Sequence, residues 1–74
     1  MTLLDLEQLM AETYGEEWGG RVYDAQGRLV AETGFDFGIE PTDCSIDMEA
    51  LDASELARYE INDSEYNEFV AWLK

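Results

Sequence analysis

Residues 36–68 read DFGIEPTDCSIDMEALDASELARYEINDSEYNE, and this stretch carries eleven carboxylates against a single cation, Arg58. The acids are spaced two to five residues apart along the chain. Apolar residues such as Ile46, Leu51 and Ile61 lie between them, whereas a disordered acidic tail contains few residues of that kind. The stretch therefore predicts a folded surface that holds negative charge at fixed positions.

The whole chain has 74 residues and a formal net charge of −14, and we expect residues 1–74 to form a single acidic α+β domain. Solubility alone requires a net charge of only about 2 to 8 in a small domain, and the excess opposes folding by self-repulsion. A strongly basic partner would explain the excess, because the electric field of the negative charge accelerates the association of such a partner with this protein. A halophilic or merely very soluble protein is the alternative interpretation.

Alternation in the middle of residues 36–68 favours strands. Cys44, Ile46, Met48 and Ala50 occupy one side of a period-two pattern, which predicts a half-buried strand. Residues 57–61 alternate in the same way and predict a second strand. A helix from Asp47 to Tyr59 is the competing interpretation, because Glu, Ala, Leu and Met all favour helix.

The segment that follows predicts a C-terminal helix. Asn62, Asp63 and Ser64 supply cap residues at its start. Its apolar residues follow the i, i+3, i+4, i+7 pattern of an amphipathic helix: Tyr66, Phe69, Val70 and Leu73. Trp72 flanks that stripe, and Lys74 suits the negative end of the helix dipole.

The N-terminal side predicts a helix, a loop and a hairpin. Thr2 and Asp5 suit the start of a helix over residues 2–14, and Gly15 suits its end. The apolar residues of this segment fall at helical spacing: Leu3, Leu6, Leu9, Met10 and Tyr14. Residues 16–20 predict a loop because of their two glycines. A hairpin follows, with its turn over residues 24–27.

These elements together predict an α+β fold with a small antiparallel sheet of three to four strands, flanked by an N-terminal and a C-terminal helix. The two helices would cover one face of the sheet and leave the other face wet and acidic.

The residue inventory disfavours catalysis. The chain has no His, and Cys44 is its single cysteine, so we expect no enzyme activity, no metal and no cofactor. Cys44 is expected to be a small buried residue. There is no apolar run of about 20 residues and no signal peptide, which predicts a cytoplasmic protein without a membrane partner. Direct binding to nucleic acid is disfavoured by the negative charge.

Regularly spaced carboxylates can imitate the phosphates of DNA. Alternate residues on one face of a strand stand about 6.8 Å apart, and Asp47 and Glu49 are expected to form such a pair, with Arg58 and Glu60 on the facing strand. A basic groove built for phosphates could then accept the carboxylates instead. The candidate partner-binding acids are Asp36, Glu40, Asp43, Asp47, Glu49, Asp52, Glu55, Glu60, Asp63 and Glu65.

The acidic strand ARYEIND running into SEYNEFVAWLK, together with size and charge, resembles small phage anti-CRISPR inhibitors of type I systems. The resemblance implies an inhibitor that occupies the DNA-binding surface of a CRISPR surveillance complex in the cytoplasm of the host bacterium. Its partner would be a basic nucleic-acid-binding protein or complex, and the inhibitor itself would be a monomer or a weak dimer.

Two other functions use the same sequence features. An antitoxin or immunity protein that neutralises a basic nuclease needs the same charge. A protein-binding module anchored by aromatic residues is the third interpretation, because aromatic anchors commonly dominate interfaces. Trp18, beside Gly19 and Gly20, is the candidate anchor, and Trp72, Phe35 and Phe37 are further candidates.

Overall fold

The computed structural model describes residues 1–63 and 65–74. The elements in chain order are α1 (Leu3–Tyr14), β1 (Gly19–Tyr23), β2 (Leu29–Thr33), β3 (Ile39–Pro41), α2 (Met48–Asp52), β4 (Leu56–Asn62) and β5 (Glu68–Leu73). The α+β class is confirmed. The predicted arrangement was wrong in three respects: the sheet has five strands rather than three to four, it is mixed rather than antiparallel, and residues 68–73 form a strand where a flanking helix was predicted.

The sheet has the strand order β3-β2-β1-β5-β4. The β1 and β5 strands are parallel, with Gly19 opposite Glu68 and Tyr23 opposite Trp72, and the other neighbours are antiparallel. The last strand therefore lies between the first strand and the fourth. This central pairing joins residues that are about fifty positions apart in the sequence.

The N-terminal helix α1 and the β1–β2 hairpin form as predicted. Thr2 and Asp5 make a capping box, in which the Thr2 side chain accepts from the Asp5 N–H at 3.2 Å and Asp5 accepts from the Thr2 N–H at 2.9 Å. In the hairpin turn Asp24 accepts from the Gln26 and Arg28 N–H groups, and Gly27 has a φ of +82°.

The predicted strand over Cys44–Ala50 was wrong. Asp47 instead begins α2, because its side chain accepts from the Glu49 N–H at 3.0 Å and so caps the first turn. The helix prediction for Asp47–Tyr59 was right only for this first part, since the chain becomes β4 at Leu56. Ile46 and Met48 still contact the core, and Leu51 is buried.

The predicted C-terminal helix was also wrong, because residues 68–73 form the central strand β5. The run FVAWL is apolar on both faces, and this is typical of a strand that has neighbours on both sides. Phe69 and Ala71 are buried. Asn62 ends β4, Asp63 follows it, and Ser64, the third predicted cap residue, lies outside the described residues.

The core lies between the sheet and the two helices. It consists of nine buried apolar residues: Leu3, Leu6, Met10, Val22, Ala31, Leu51, Leu56, Phe69 and Ala71. The helix α1 contributes three of them, and the strands contribute the inward-facing positions. The opposite side of the sheet has no helix over it among the described residues, and we call it the open face.

Residues 16–20 were predicted to be a loop, but Gly19 and Gly20 belong to β1. A Cβ on Gly20 would stand 2.7 Å from the Phe69 ring, so only glycine allows the two central strands to pack this closely.

We expect Gly20→Ala to lower the free energy of unfolding by about 1–3 kcal/mol, because the methyl group must displace Phe69 or the backbone. Gly15→Ala is the matched control, since a Cβ there meets nothing within 4 Å, although the φ of +72° adds about 1 kcal/mol of strain. Urea unfolding of both variants measures the difference. A Gly20→Ala protein that is no less stable than Gly15→Ala would contradict the packing.

Candidate functional site

Most carboxylates of the folded chain have no cationic neighbour. Among residues 1–63 and 65–74 there are two ion pairs, Arg28 Nε to Asp24 Oδ2 at 3.1 Å and the Met1 amino group to Glu55 Oε2 at 3.3 Å. The chain has 18 acids and four Lys and Arg residues. Folding therefore leaves most of the negative charge available at the surface.

The densest group of acids lies in residues 43–55, which we call the acidic segment. It contains no Lys or Arg, and its acids are Asp43, Asp47, Glu49, Asp52 and Glu55. Asp43 Oδ1 accepts from the Ser45 N–H at 2.9 Å, and this backbone hydrogen bond lowers the pKa of Asp43. Asp47 is held as the cap of α2. Two of these carboxylates thus have orientations set by the backbone.

The expected spacing of Asp47 and Glu49 along one strand was wrong, because Asp47 caps α2 and Glu49 lies in its first turn. The expected facing strand is also different. Arg58 and Glu60 lie on β4, which pairs with β5, with Arg58 opposite Trp72. Charge is fixed at the N-terminal end of a short helix instead of along a hairpin.

Glu7 on α1 and Asp52 on α2 form a carboxyl pair behind the acidic segment. Glu7 Oε2 and Asp52 Oδ1 are both out of contact with solvent and have no other hydrogen-bond partner among the described residues. Burial, the hydrogen bond that protonated Glu7 donates to Asp52, and repulsion from Asp52 raise the pKa of Glu7 to about 8. At neutral pH Glu7 therefore keeps its proton. The helical spacing of the apolar residues in α1 did not indicate that Glu7 would be partly buried beside Asp52.

The open face carries charges of both signs. One row across the sheet follows from the strand register: Glu40, Glu32, Arg21, Val70 and Glu60. The row crosses four interstrand gaps, or about 19 Å. Glu32 and Glu40 are directly opposite each other, which is unfavourable for like charges. The open face is therefore less uniformly acidic than the acidic segment.

An aromatic stack occupies the next row of the open face. The centroids of the Tyr23 and Trp72 rings are 6.3 Å apart, and the ring planes are nearly parallel, with an angle of 19° between them. The Arg58 guanidinium carbon lies 3.8 Å from the centroid of the Trp72 ring, a cation–π contact. Arg58 thus covers one face of the half-buried Trp72 ring. Trp72 was predicted to lie beside the apolar stripe of a C-terminal helix, but it lies on β5 and belongs to this stack.

The other candidate acids lie in four places. Asp36 is in the β2–β3 turn, and Glu40 and Glu60 are in the row described above. Asp63 accepts from the Tyr14 hydroxyl at 3.3 Å, and Glu65 precedes β5. The acidic segment therefore holds half of the ten predicted acids.

Trp18, the predicted aromatic anchor, is half-buried. It packs on Phe69, with 6.1 Å between the centroids of the two rings. It also lines a cavity of about 250 Å³ at the end of the sheet where β1 and β5 begin, which we call the end cavity. Its lining residues include three aromatic residues and three acids: Trp18, Phe37, Tyr66, Glu17, Glu65 and Glu68. The two glycines that follow Trp18 predicted it as an anchor, but no local pattern in the sequence indicates the other five residues.

The described residues contain no group of three His, Cys, Asp or Glu side chains that could hold a metal ion. Cys44 was expected to be buried, but it is exposed in the loop before α2. Over the ranges 1–63 and 65–74, neither helix has the length and apolar character needed to cross a membrane.

Comparison with known proteins gives no relative for this arrangement. No protein-family model matches the chain, and no similar curated protein or solved structure was found.

Proposed function

We propose that the protein is a non-catalytic acidic inhibitor whose carboxylates occupy a surface that a basic partner uses to bind DNA. The observation that supports this is the unneutralised charge, since a net charge of −14 is accompanied by only two ion pairs within the described residues. Duplex DNA carries one negative charge per roughly 1.7 Å of its axis, so a groove that binds it is strongly cationic. Such a groove attracts this protein at long range.

The acidic segment is the proposed contact surface. Three of its five acids, Asp43, Asp47 and Glu49, are exposed and take no part in the two ion pairs, and the Asp43 and Asp47 carboxylates are oriented by backbone N–H groups. Fixed carboxylates lose less conformational entropy on binding than carboxylates on free side chains. The open face is a weaker candidate, because Arg21 and Arg58 lie among its acids.

The first partner to test is a type I CRISPR surveillance complex, which the resemblance of the sequence implies. Adding the protein should reduce the fluorescence anisotropy of a labelled duplex that the complex has bound. A triple variant with Asp43→Asn, Asp47→Asn and Glu49→Gln should inhibit roughly tenfold more weakly or worse, because three charge contacts are removed. Asn still caps a helix, so α2 is retained.

The matched control changes the same amount of charge elsewhere. Glu12, Glu16 and Glu32 are exposed and lie outside the acidic segment, and their triple Gln variant should inhibit almost as well as the parent. Equal loss in both triple variants would show that net charge alone acts, and no loss in the acidic-segment variant would reject this surface.

An antitoxin or immunity protein that neutralises a basic nuclease would use the same charge. Neighbouring genes distinguish the two functions, since a toxin gene next to this one favours the antitoxin and phage structural genes favour the inhibitor of a defence complex.

A module anchored by aromatic residues is supported by a separate observation, the exposure of Phe37 and Tyr66, which line the end cavity with Trp18. Under this alternative, Trp18→Ala abolishes partner binding and the acidic-segment variant does not.

A further inference from the structure

We propose that the end cavity binds an arginine side chain of a basic protein partner. The inference relies on the proposed function only for the expectation that the partner is basic. It concerns a different surface from the acidic segment, which lies after β3, and it is tested without DNA.

The lining of the end cavity selects a cation. Glu17, Glu65 and Glu68 supply three carboxylates, and no Lys or Arg of the described chain lines it. Neither of the two ion pairs described above involves these acids. A positively charged group that enters the cavity therefore finds carboxylate acceptors that are free of competing cations.

The aromatic walls favour a guanidinium over an ammonium group. Trp18, Phe37 and Tyr66 line the same cavity, and the faces of such rings attract cations. A guanidinium is planar and weakly hydrated, so it stacks on aromatic rings and still donates to carboxylates along its edge, whereas an ammonium is strongly hydrated. The combination of rings and acids matches arginine.

The size of the end cavity suits a single side chain. Its volume of about 250 Å³ is below the range of roughly 300–1,000 Å³ that is usual for sites of drug-sized ligands. An arginine head group and its methylene stem fit within such a space.

The end cavity is held in shape by hydrogen bonds between its three segments. The Gly38 N–H donates to the Trp18 carbonyl at 2.7 Å, and the Gly19 N–H donates to the Asn67 carbonyl at 2.9 Å. Asn67 Nδ2 also donates to the Glu17 carbonyl at 3.1 Å. The loops that carry Phe37 and Tyr66 are thus attached to the segment that carries Trp18, so the walls exist before a ligand binds.

Phe37 adopts an unfavourable backbone conformation at this position. Its φ of +67° lies in the left-handed region, which bulky residues seldom occupy, and its ring is 56% exposed. Burial of the ring in the core therefore does not compensate for this strain. Strained residues of this kind are concentrated at ligand sites, and here the strained residue supplies one wall of the cavity.

The test uses the full chain labelled with ¹⁵N and three blocked tripeptides, acetyl-Gly-Arg-Gly-amide and its Lys and Gln counterparts. The arginine peptide should shift the indole N–H resonance of Trp18 and leave that of Trp72 unchanged. The lysine peptide should bind more weakly, and the glutamine peptide should cause no shift. Equal affinity for the lysine and arginine peptides, or equal shifts at both indoles, would overturn the assignment.

Paired variants separate the end cavity from general charge. Glu17→Gln should weaken binding of the arginine peptide roughly fivefold, whereas Glu16→Gln, the neighbouring acid outside the cavity, should have little effect. If both variants weaken binding equally, diffuse electrostatic attraction is sufficient and the cavity has no specific role.

The aromatic wall has its own pair of variants. Phe37→Asn should reduce affinity roughly fivefold without lowering the thermal midpoint, because Asn tolerates positive φ. Phe35→Ala, in the same turn but outside the cavity lining, should bind like the parent. Unchanged affinity in the Phe37→Asn variant would reject the aromatic contact. Inhibition of DNA binding is measured separately, so loss of one property does not imply loss of the other.

Discussion

Phe69→Ala should lower the free energy of unfolding of the domain by about 3–5 kcal/mol. Phe69 is 1% exposed, lies in the central strand β5 and contacts both Gly20 and Trp18. Removing a buried phenyl ring costs about 3–5 kcal/mol, and a domain of this length has a total stability of only about 4–11 kcal/mol. Far-UV circular dichroism during urea and thermal unfolding measures the loss.

Phe35→Ala is the control for this experiment, because Phe35 is the same residue type but is 96% exposed. Its free energy of unfolding should change by no more than about 0.5 kcal/mol. Similar losses in the two variants would show that residue 69 does not lie in the core as the strand register requires.

Glu7→Gln should remove most of the change in stability between pH 6 and pH 9. In the folded protein the pKa of Glu7 is raised to about 8, mainly by burial, whereas the unfolded value is near 4.5. The folded state holds a proton that the unfolded chain releases, so this stabilisation is complete below pH 4.5 and is lost as the pH rises through 8. Because water reaches part of the site, we expect about 2 kcal/mol, or roughly 10 °C in the thermal midpoint.

Comparing Glu7→Gln with the parent from pH 6 to pH 9 isolates this pair, because the two proteins differ at residue 7 alone and ordinary carboxylates are already ionised at pH 6. Gln can donate to Asp52 as protonated Glu7 does, so the variant should stay folded at high pH. Glu12→Gln, an exposed position on the same helix, should keep the pH dependence of the parent. A Glu7→Gln protein that loses stability as steeply as the parent would contradict the raised pKa of Glu7.

The elements that the sequence predicted correctly are those specified by local chemistry. The capping box at Thr2 starts α1, and the Asp24–Gly27 turn fixes the hairpin. The alternation of residues 57–61 correctly predicted β4. Each signal requires only neighbours within a few residues, so no knowledge of the rest of the fold was needed.

The two wrong elements depended on distant contacts or on a misread period. Phe69, Val70 and Leu73 fit both a helical stripe and a strand that is apolar on both faces. The parallel neighbour that decides between them is β1, about fifty residues away. Near Asp47, the alternation of apolar and polar residues led to the prediction of a strand. Asp is a preferred N-cap residue, and this property of Asp47 was the better guide because it begins α2.

The candidate sites were predictable to different degrees. Surface exposure of the acids followed from composition, and Trp18 was identified from its glycine neighbours. The end cavity was not predictable, because it combines residues from three segments that only the sheet brings together. The Glu7–Asp52 pair was missed for the same reason, since its members lie on different helices.

The position of β5 between β1 and β4 has a consequence for synthesis of the protein in the cell. A nascent chain on the ribosome can form α1 and the β1–β2 hairpin early, but β4 has no neighbour in the sheet until residues 68–73 emerge from the exit tunnel. The edge of β1 that pairs with β5 therefore stays open to chaperones or to mispairing until residues 68–73 emerge, and β4 joins the sheet through that same strand.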